Sequence, residues 1–480
     1  VPKSKIEEHL YKKSMMERVH PEGRRLSYEI ADKIENLHFD GVYLLKESKR
    51  YYPHNEMLSH VLGYVGIDNQ GLSGLELEYD KILTGEYGSI QYFSDAKGNN
   101  LDRNSVYVEP EDGLDIYLTV NYKIQSSIER ELDNIVTKYN PEGAWALAMD
   151  PNTGEILGMS SRPNFNPNKY QDYSVETINR NMAIWASYEP GSTFKILTLS
   201  AAVNEGKVDL IKDTFYDGGS INVGGARIKC WKHGGHGSQT FLEVVQNSCN
   251  PGFVELGNRL GKETLFEYIN KFGYGKKTGI DLNGEATGIL FSLDKVGPVE
   301  LATTAFGQGV SVTALQQVVA VSAAINGGTL YKPYIVKRVA YHENGQIIKE
   351  VKPTIVRDNI VTKDTSEKVR MTLESVVSLG TGRNAYIDGY RVGGKTGTAQ
   401  KVNNGIYMQG NYIVSFIGFF PANDPKIVVY LAIDNPKGVT QYGGTVSAPI
   451  VKNIMEDAIT SLNIEKQDGG TEKRYQWYDK

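Results

Sequence analysis

Tyr188-Glu-Pro-Gly-Ser-Thr-Phe-Lys195 is the stretch that decides how the rest of the chain is interpreted. Ser192 and Lys195 are three residues apart, so a helix beginning at Gly191 would place both side chains on one face. A serine hydroxyl is a weak nucleophile at neutral pH, but an amine with a lowered pKa can take its proton. The spacing therefore predicts an acyl-serine centre, although Ser-x-x-Lys alone also fits an ordinary helix start.

Two later motifs favour the catalytic interpretation. Asn247-Ser-Cys-Asn250 contains the pattern Ser-x-Asn, and Gly393-Gly-Lys-Thr-Gly-Thr398 contains Lys-Thr-Gly within a predicted strand. The three motifs occur in the order, and with the wide separations, required by acyl-serine enzymes of the penicillin-recognising superfamily. We therefore expect them to line one cleft.

Length and composition are those of a large globular protein. The chain has 480 residues, of which 40% are hydrophobic and 23% charged, enough for two or three domains. The net charge of -5 and the absence of a dense basic cluster exclude a nucleic-acid-binding stripe. The sequence contains neither a signal peptide nor an apolar run of bilayer length, so we expect any membrane anchor to lie outside these residues.

The sequence pattern changes near Glu109-Pro-Glu-Asp-Gly113. Before it, polar residues and turn formers predict an irregular structural domain over residues 1–110. After it, mixed strand and helix patterns predict an α+β domain over residues 111–465, with helices covering an antiparallel sheet. Residues 466–480 are predicted to form a tail or linker.

Hydrophobic periodicity predicts the elements of the second domain. Strands are expected at 114–120, 144–149, 155–159, 412–419 and 427–433. Helices are expected around 124–135 and at 192–204, 241–246, 313–326 and 449–462. A Thr240/Glu243 capping box marks the start of the helix at 241, and Asp150-Pro-Asn-Thr-Gly154 predicts a hairpin turn.

With these features the chain resembles the class B penicillin-binding proteins, in particular their division and sporulation branch. The resemblance rests on the three motifs, a pedestal signature from Arg50 to Gly85, the turn at 150–154, and Phe306-Gly-Gln-Gly309 before the helix at Thr313. It implies a penicillin-binding transpeptidase fold with an elongated N-terminal pedestal or dimerisation domain. It also implies a peptidoglycan D,D-transpeptidase that cross-links stem peptides and is acylated by β-lactams.

The resemblance has further implications for location and partners. The family's membrane helix has no counterpart before Val1, so we expect an anchor outside this sequence and a catalytic domain beyond the membrane. Since no glycosyltransferase module is recognisable, a membrane glycosyltransferase is the expected partner for glycan polymerisation.

The nucleophile and its base are assigned by both the chemistry and the resemblance. Ser192 would attack the carbonyl of the penultimate D-alanine of a stem peptide and form an acyl-enzyme, which the amine of a second strand resolves. Lys195 must be neutral to act as the base. We expect burial and the nearby charge of Lys395 to lower its pKa.

The other motif residues complete the predicted site. Ser248 would relay a proton toward the leaving amine, and Asn250 would hold Lys195 and the substrate amide, although both residue types are also common turn formers. Lys395, with Thr396 and Thr398, would bind the substrate carboxylate. Gly397 would allow close approach of the peptide, and the backbone N–H groups of Ser192 and Thr398 would form an oxyanion hole.

Cys230, His233, His236 and Cys249 form the pattern C-x2-H-x2-H-x12-C, which is close to the spacing of tetrahedral zinc sites. We therefore predict a structural zinc that holds the Ser-x-Asn motif and takes no part in the chemistry. A Cys230–Cys249 disulfide and two free thiols are alternatives, as is a simple loop turn at His236-Gly237. The acyl transfer itself requires no cofactor.

Two other classes of function are considered. A serine β-lactamase shares the three motifs but needs a device, such as a glutamate on a loop after Ser-x-Asn, to activate water, and no Glu-x-x-Leu-Asn is found there. A catalytically silent cell-wall scaffold would not need all three motifs intact. The sequence therefore favours the transpeptidase.

Overall fold

A computed structural model describes residues 2–14, 16–94, 100–403 and 405–466. The predicted tail at 466–480 therefore lies outside the described residues from 467 onward. Within the described ranges, the helices are too short or too polar to cross a bilayer. The N-terminal part is built from loops and short elements: α1 (Lys3–Leu10), α2 (Tyr28–Glu35), α3 (Ser59–Leu62), α4 (Gly74–Glu78), α5 (Asp80–Leu83), β1 (Ser89–Ser94) and β2 (Asn100–Val108).

Longer elements follow in the second part of the chain. The first half contains β3 (Asp115–Leu118), α6 (Tyr122–Tyr139), β4 (Gly143–Met149), β5 (Ile156–Arg162), α7 (Val175–Asn179), α8 (Met182–Trp185), α9 (Lys195–Asn204), β6 (Thr214–Asp217), β7 (Ser220–Val223), β8 (Ala226–Lys229), β9 (Gly237–Thr240), α10 (Phe241–Gln246) and α11 (Asn250–Lys271). The second half contains α12 (Pro298–Ala305), α13 (Ala314–Ile325), β10 (Leu330–Tyr331), β11 (Val336–Ala340), β12 (Ile347–Glu350), β13 (Ile355–Arg357), α14 (Lys363–Ser378), β14 (Gly393–Asn403), β15 (Ile406–Phe420), β16 (Ile427–Asp434) and α15 (Gly443–Ser461).

A five-stranded antiparallel sheet, in the order β14-β15-β16-β4-β5, forms the centre of this part. Side chains of β4 alternate between its two faces, as period-two geometry requires. Trp145, Leu147 and Met149 join the core that contains α9 and α13. The intervening alanines at 144, 146 and 148 face the core formed with α6 and α15. The predicted α+β fold, with helices covering an antiparallel sheet, is confirmed.

The predicted elements are present, with shifts at several boundaries. The Thr240/Glu243 capping box begins α10 as expected, and α6 covers the segment predicted around 124–135. The helix predicted from Ser192 begins instead at Lys195, after a 3₁₀ turn over Gly191–Thr193.

The predicted start of the last helix at Pro449 was wrong. The helix α15 begins at Gly443, so Pro449 lies inside it. Proline lacks a backbone N–H and favours the first turn of a helix, which is why the sequence pattern indicated a start there. The packing of α15 against the sheet outweighs the missing hydrogen bond: Val446 and Val451 are fully buried.

Candidate active site

The turn that carries Ser192 is held close to the edge strand of the sheet. Gly191 has φ of +53°, and its N–H donates to the carbonyl of Gly307 at 3.0 Å. A Cβ on Gly191 would lie 3.2 Å from the carbonyl oxygen of Thr398 on β14. Glycine is therefore favoured for both its backbone conformation and its small size. The resulting turn leaves Ser192 partly exposed.

Lys195 lies beneath the nucleophile turn and is 1% exposed. Its Nζ donates to Asn250 Oδ1 at 2.7 Å, to the Ser248 carbonyl at 2.8 Å and to Ser248 Oγ at 3.3 Å. Burial lowers the pKa of Lys195 to about 7, because the charged amine loses its hydration. A substantial fraction of this amine is therefore neutral near pH 7 and able to accept a proton.

Ser248 Oγ lies between two buried amines. Lys395 Nζ donates to it at 2.8 Å and Lys195 Nζ at 3.3 Å. Burial, and next the charge of Lys195, lower the pKa of Lys395 well below its usual range. The expected electrostatic coupling of the two lysines is thus seen at Lys395, whereas burial is what lowers the pKa of Lys195.

The Ser-x-Asn motif forms the corner between α10 and α11. Ser248 has a left-handed backbone conformation with φ of +53°, and α11 begins at Asn250 with Pro251 in its first turn. Proline is well suited to this position, because the first N–H groups of a helix have no partner within it. The corner directs Ser248 and Asn250 to the same amine of Lys195.

The Lys-Thr-Gly motif lies on β14, an edge strand of the central sheet. A Cβ on Gly397 would lie 2.2 Å from Ser415 Oγ and 3.0 Å from Thr193 Cγ2, so a side chain there would displace the strand from the nucleophile turn. Thr396 Oγ1 is 3.2 Å from Thr381 Oγ1, and Thr398 Oγ1 accepts a hydrogen bond from the N–H at the start of α15.

A second cluster lies on the other side of the Ser-x-Asn corner. Asp217, Cys230, His236 and Cys249 place one ligand atom each within 4.8 Å of one another. Asp217 Oδ2 is 2.8 Å from His236 Nδ1 and accepts from Cys249 Sγ at 3.3 Å. The two cysteines are free thiols in this structure.

The predicted ligand set requires one correction. His233 is exposed and does not belong to this cluster, and Asp217, at the end of β6, stands in its place. His233 lies in the loop before β9, whereas pairing of β6 with β9 brings Asp217 beside His236. Sequence spacing between cysteines and histidines missed Asp217, because it lies thirteen residues before Cys230 on a separate strand.

The structure thus brings four of the predicted residues, Lys195, Ser248, Asn250 and Lys395, into one hydrogen-bonded group, and Ser192 lies in the turn that precedes Lys195. Sequence reasoning missed Glu189 as well as Asp217. Glu189 accepts from the N–H of Gly309 at 2.8 Å. Its position inside the motif 188–195 was the available signal.

Comparison with known proteins agrees with this geometry. A family model described as "Penicillin binding protein transpeptidase domain" matches residues 144–456, and one described as "Penicillin-binding Protein dimerisation domain" matches residues 2–118. The chain is 58% identical over 476 residues to Stage V sporulation protein D of Bacillus subtilis, covering 99% of this chain and 74% of that protein. It is 32% identical over 444 residues to the peptidoglycan D,D-transpeptidase FtsI of Escherichia coli, covering 92% and 72%.

Solved structures give the same result. Penicillin-binding protein 3 of Mycobacterium tuberculosis, complexed with aztreonam, has a TM-score of 0.78 and 29% identity, covering 87% of this chain and 91% of that one. The fold and the site therefore define a serine-type acyl-transfer enzyme. More specifically, the chain belongs to the class B penicillin-binding proteins, whose catalytic module is a transpeptidase. Its acyl-transfer chemistry needs no cofactor.

Proposed function

We propose that this chain is a peptidoglycan D,D-transpeptidase in which Ser192 is the acylated residue and Lys195 its general base. Ser192 Oγ attacks the carbonyl of the penultimate D-alanine of a stem peptide while Lys195 Nζ takes its proton. The peptide C–N bond breaks, and the terminal D-alanine leaves as an amine that has received a proton. The amine of a second strand then attacks the ester carbonyl; the new C–N bond forms, the bond from that carbon to Ser192 Oγ breaks, and the proton lost by the amine returns to Ser192 Oγ through Lys195.

The observation that carries this proposal is the buried amine of Lys195 with its three acceptors on Ser248 and Asn250. These contacts fix the amine beneath the nucleophile turn, and burial brings its pKa to about 7. Ser248 Oγ, between Lys195 and Lys395, provides a route for the proton to the leaving amine.

Substrate recognition falls to the edge strand β14. Thr396, Gly397 and Thr398 follow Lys395, which itself is fully buried and hydrogen-bonded to Ser248. Lys395 therefore lies behind the edge of the strand and acts on the substrate through Ser248, while the threonine hydroxyls offer direct contacts to the substrate carboxylate. The N–H groups of Ser192 and Thr398 provide the oxyanion hole, consistent with the close approach of the turn to β14.

One labelling experiment separates this function from the two alternatives. The protein is incubated with a fluorescent penicillin and followed by gel fluorescence and intact mass. A lasting adduct is expected for the transpeptidase, because rapid release of the label requires a group that activates water to attack the ester, and transpeptidation does not use one. Rapid release of the label would identify a hydrolase, and absence of an adduct would identify a silent scaffold.

We extend the proposal to the chain's organisation. The pedestal domain occupies residues 1–110 and the catalytic domain residues 111–465, which is supported by the pairing of β3 with β11 of the catalytic part. An N-terminal helix outside this sequence anchors the protein, and a membrane glycosyltransferase supplies the glycan. Co-purification of the full-length protein with a glycosyltransferase from detergent-solubilised membranes tests the partner, and its loss in a variant lacking residues 1–110 maps the contact.

We also propose that Asp217, Cys230, His236 and Cys249 bind a structural zinc ion. Two sulfurs, an imidazole nitrogen and a carboxylate oxygen are donor types that zinc accepts in a four-coordinate site. The spacing of 4.8 Å or less between the four atoms, and the burial of Asp217 and Cys249, support this assignment. Elemental analysis is expected to find about one zinc per chain. A metal-free protein, or a mass lighter by two hydrogen atoms from a disulfide, would contradict it.

A further inference from the structure

The carboxylate of Glu189 connects the nucleophile turn to two other parts of the cleft. Its Oε1 accepts hydrogen bonds from the N–H of Gly309 at 2.8 Å and from the hydroxyl of Tyr407 at 3.0 Å. Gly309 lies two residues after Gly307, whose carbonyl accepts a hydrogen bond from the N–H of Gly191. Tyr407 belongs to the β14–β15 hairpin, so Glu189 lies where turn, loop and hairpin meet.

The end of this hairpin contains little buried apolar surface. Val402 pairs with Tyr407, and the side chains of Val402 and Ile406 are 45% and 72% exposed. Such an end is ordered by specific polar contacts more than by burial. The hydrogen bond from Tyr407 to Glu189 is a contact of this kind. Val402, which pairs with Tyr407, lies only four residues beyond Thr398 on β14.

Glu189 is a costly residue in this environment. Its Oε2 is buried and has no hydrogen-bond partner among the described residues, and the ion pairs found in that part of the chain do not include it. Burial raises the pKa of Glu189, although the contacts with Gly309 and Tyr407 oppose this effect. The side chain of Glu189 is partly buried as a whole, but among the described residues nothing pairs with its buried Oε2 to offset the loss of water there. Its position three residues before Ser192 indicates a functional reason.

We propose that Glu189 is a positioning residue which, through the hydroxyl of Tyr407, holds the β14–β15 hairpin at the distance from the Ser192 turn that substrate binding requires. The inference rests on the proposed role of Ser192. Because Glu189 makes no hydrogen bond to Lys195 or Ser248 among those described, its loss affects noncovalent binding along β14 more than the rate of the chemical step.

Tyr407→Phe tests the contact by removing one hydroxyl. Saturation kinetics with a chromogenic cephalosporin separate the dissociation constant of the noncovalent complex from the acylation rate constant. We expect the dissociation constant to rise about tenfold, the scale of one hydrogen bond to a charged group. The acylation rate constant and the melting temperature stay close to those of the wild type. Tyr412→Phe, on the same strand, is the matched control and changes neither constant.

A double-mutant cycle with Glu189→Ala tests whether both residues act through one contact. The single Glu189→Ala variant is expected to weaken binding at least as much as Tyr407→Phe, and the double variant no further than Glu189→Ala. Glu189→Gln, which keeps an acceptor for both donors, restores most of the binding. Should Glu189→Ala fail to fold, Tyr407→Phe and Glu189→Gln decide the question.

Wild-type binding by Tyr407→Phe would overturn the proposal, and so would additive losses in the cycle or equal losses in Glu189→Gln and Glu189→Ala. Confinement of the effect to the acylation rate constant would also overturn it. Intact mass of each variant, with Ser192→Ala as reference, shows whether the acyl group is on Ser192. A label that persists in Ser192→Ala refutes the assignment of the nucleophile, which is a separate failure.

Discussion

The two sides of the corner at Asn247–Asn250 differ in how they are built. On one side, Ser248 and Asn250 contact the buried amine of Lys195. On the other, Cys249 contacts Asp217 within a cluster of metal-ligand types. Neighbouring residues of one short segment thus belong to two different groups, the proposed reactive centre and the proposed metal site. Cys249 thus makes its contacts with a set of residues different from the partners of Ser248 and Asn250, although it lies between them in the chain.

The largest expected effect comes from removing the nucleophile. Ser192→Ala is expected to abolish covalent penicillin labelling and to leave the melting temperature nearly unchanged, because this partly exposed hydroxyl contributes little packing. Intact-mass spectrometry and thermal unfolding measure the two effects. An adduct of undiminished stoichiometry on this variant would mean that another residue is acylated and that the group around Lys195 is not the reactive centre.

Removal of the base is the next effect in size. Lys195→Ala is expected to slow acylation by at least about 10²-fold, the usual scale for losing a general base. Lys395→Ala slows it too, because Ser248 then loses its second amine contact. Stopped-flow rates with a chromogenic cephalosporin provide the test. Near wild-type rates for Lys195→Ala would mean that another group accepts the proton.

The pH dependence of acylation is expected to report Lys195. Since the proposed base is the neutral amine of Lys195, whose pKa is about 7, the acylation rate should fall about tenfold per pH unit below that value and level off above it. The rise is toward high pH because deprotonation produces the active form. An acylation rate that stays constant between about pH 5 and pH 8, with Ser192 still acylated, would exclude a base that titrates near pH 7.

The smallest effect, and the sharpest contrast between the two sides, comes from the supporting cluster. If the proposed zinc site exists, Cys230→Ser is expected to lower the melting temperature and to slow acylation severalfold, because loss of a ligand would loosen Ser248 and Asn250. His233→Ala is the matched control and leaves both unchanged, since its side chain is exposed and outside the cluster. If the two variants had the same melting temperature and acylation rate, the cluster would have no influence on the catalytic motif.

The sequence was most informative where local chemistry and spacing carry the signal. The Thr240/Glu243 capping box could be predicted because its contacts lie within one helical turn, whereas the catalytic roles of Ser192 and Lys195 stay predictions. The Asp217 contact could not, because pairing of β6 with β9 creates it across nineteen residues. His233 was wrongly included for the same reason: spacing of residue types does not show which face of a loop is exposed. The start of α15 was missed because tertiary packing overrides the preference of Pro449.

The left-handed backbone conformation of Ser248 lowers the stability of the fold at a residue with a proposed catalytic role. A non-glycine residue in this region costs about 1–2 kcal/mol relative to the right-handed form, and the fold bears this cost at the residue whose hydroxyl meets both lysines. Glycine would relieve the strain but remove the hydroxyl. If Ser248 relays the proton as proposed, Ser248→Gly would therefore exchange activity for relief of this strain.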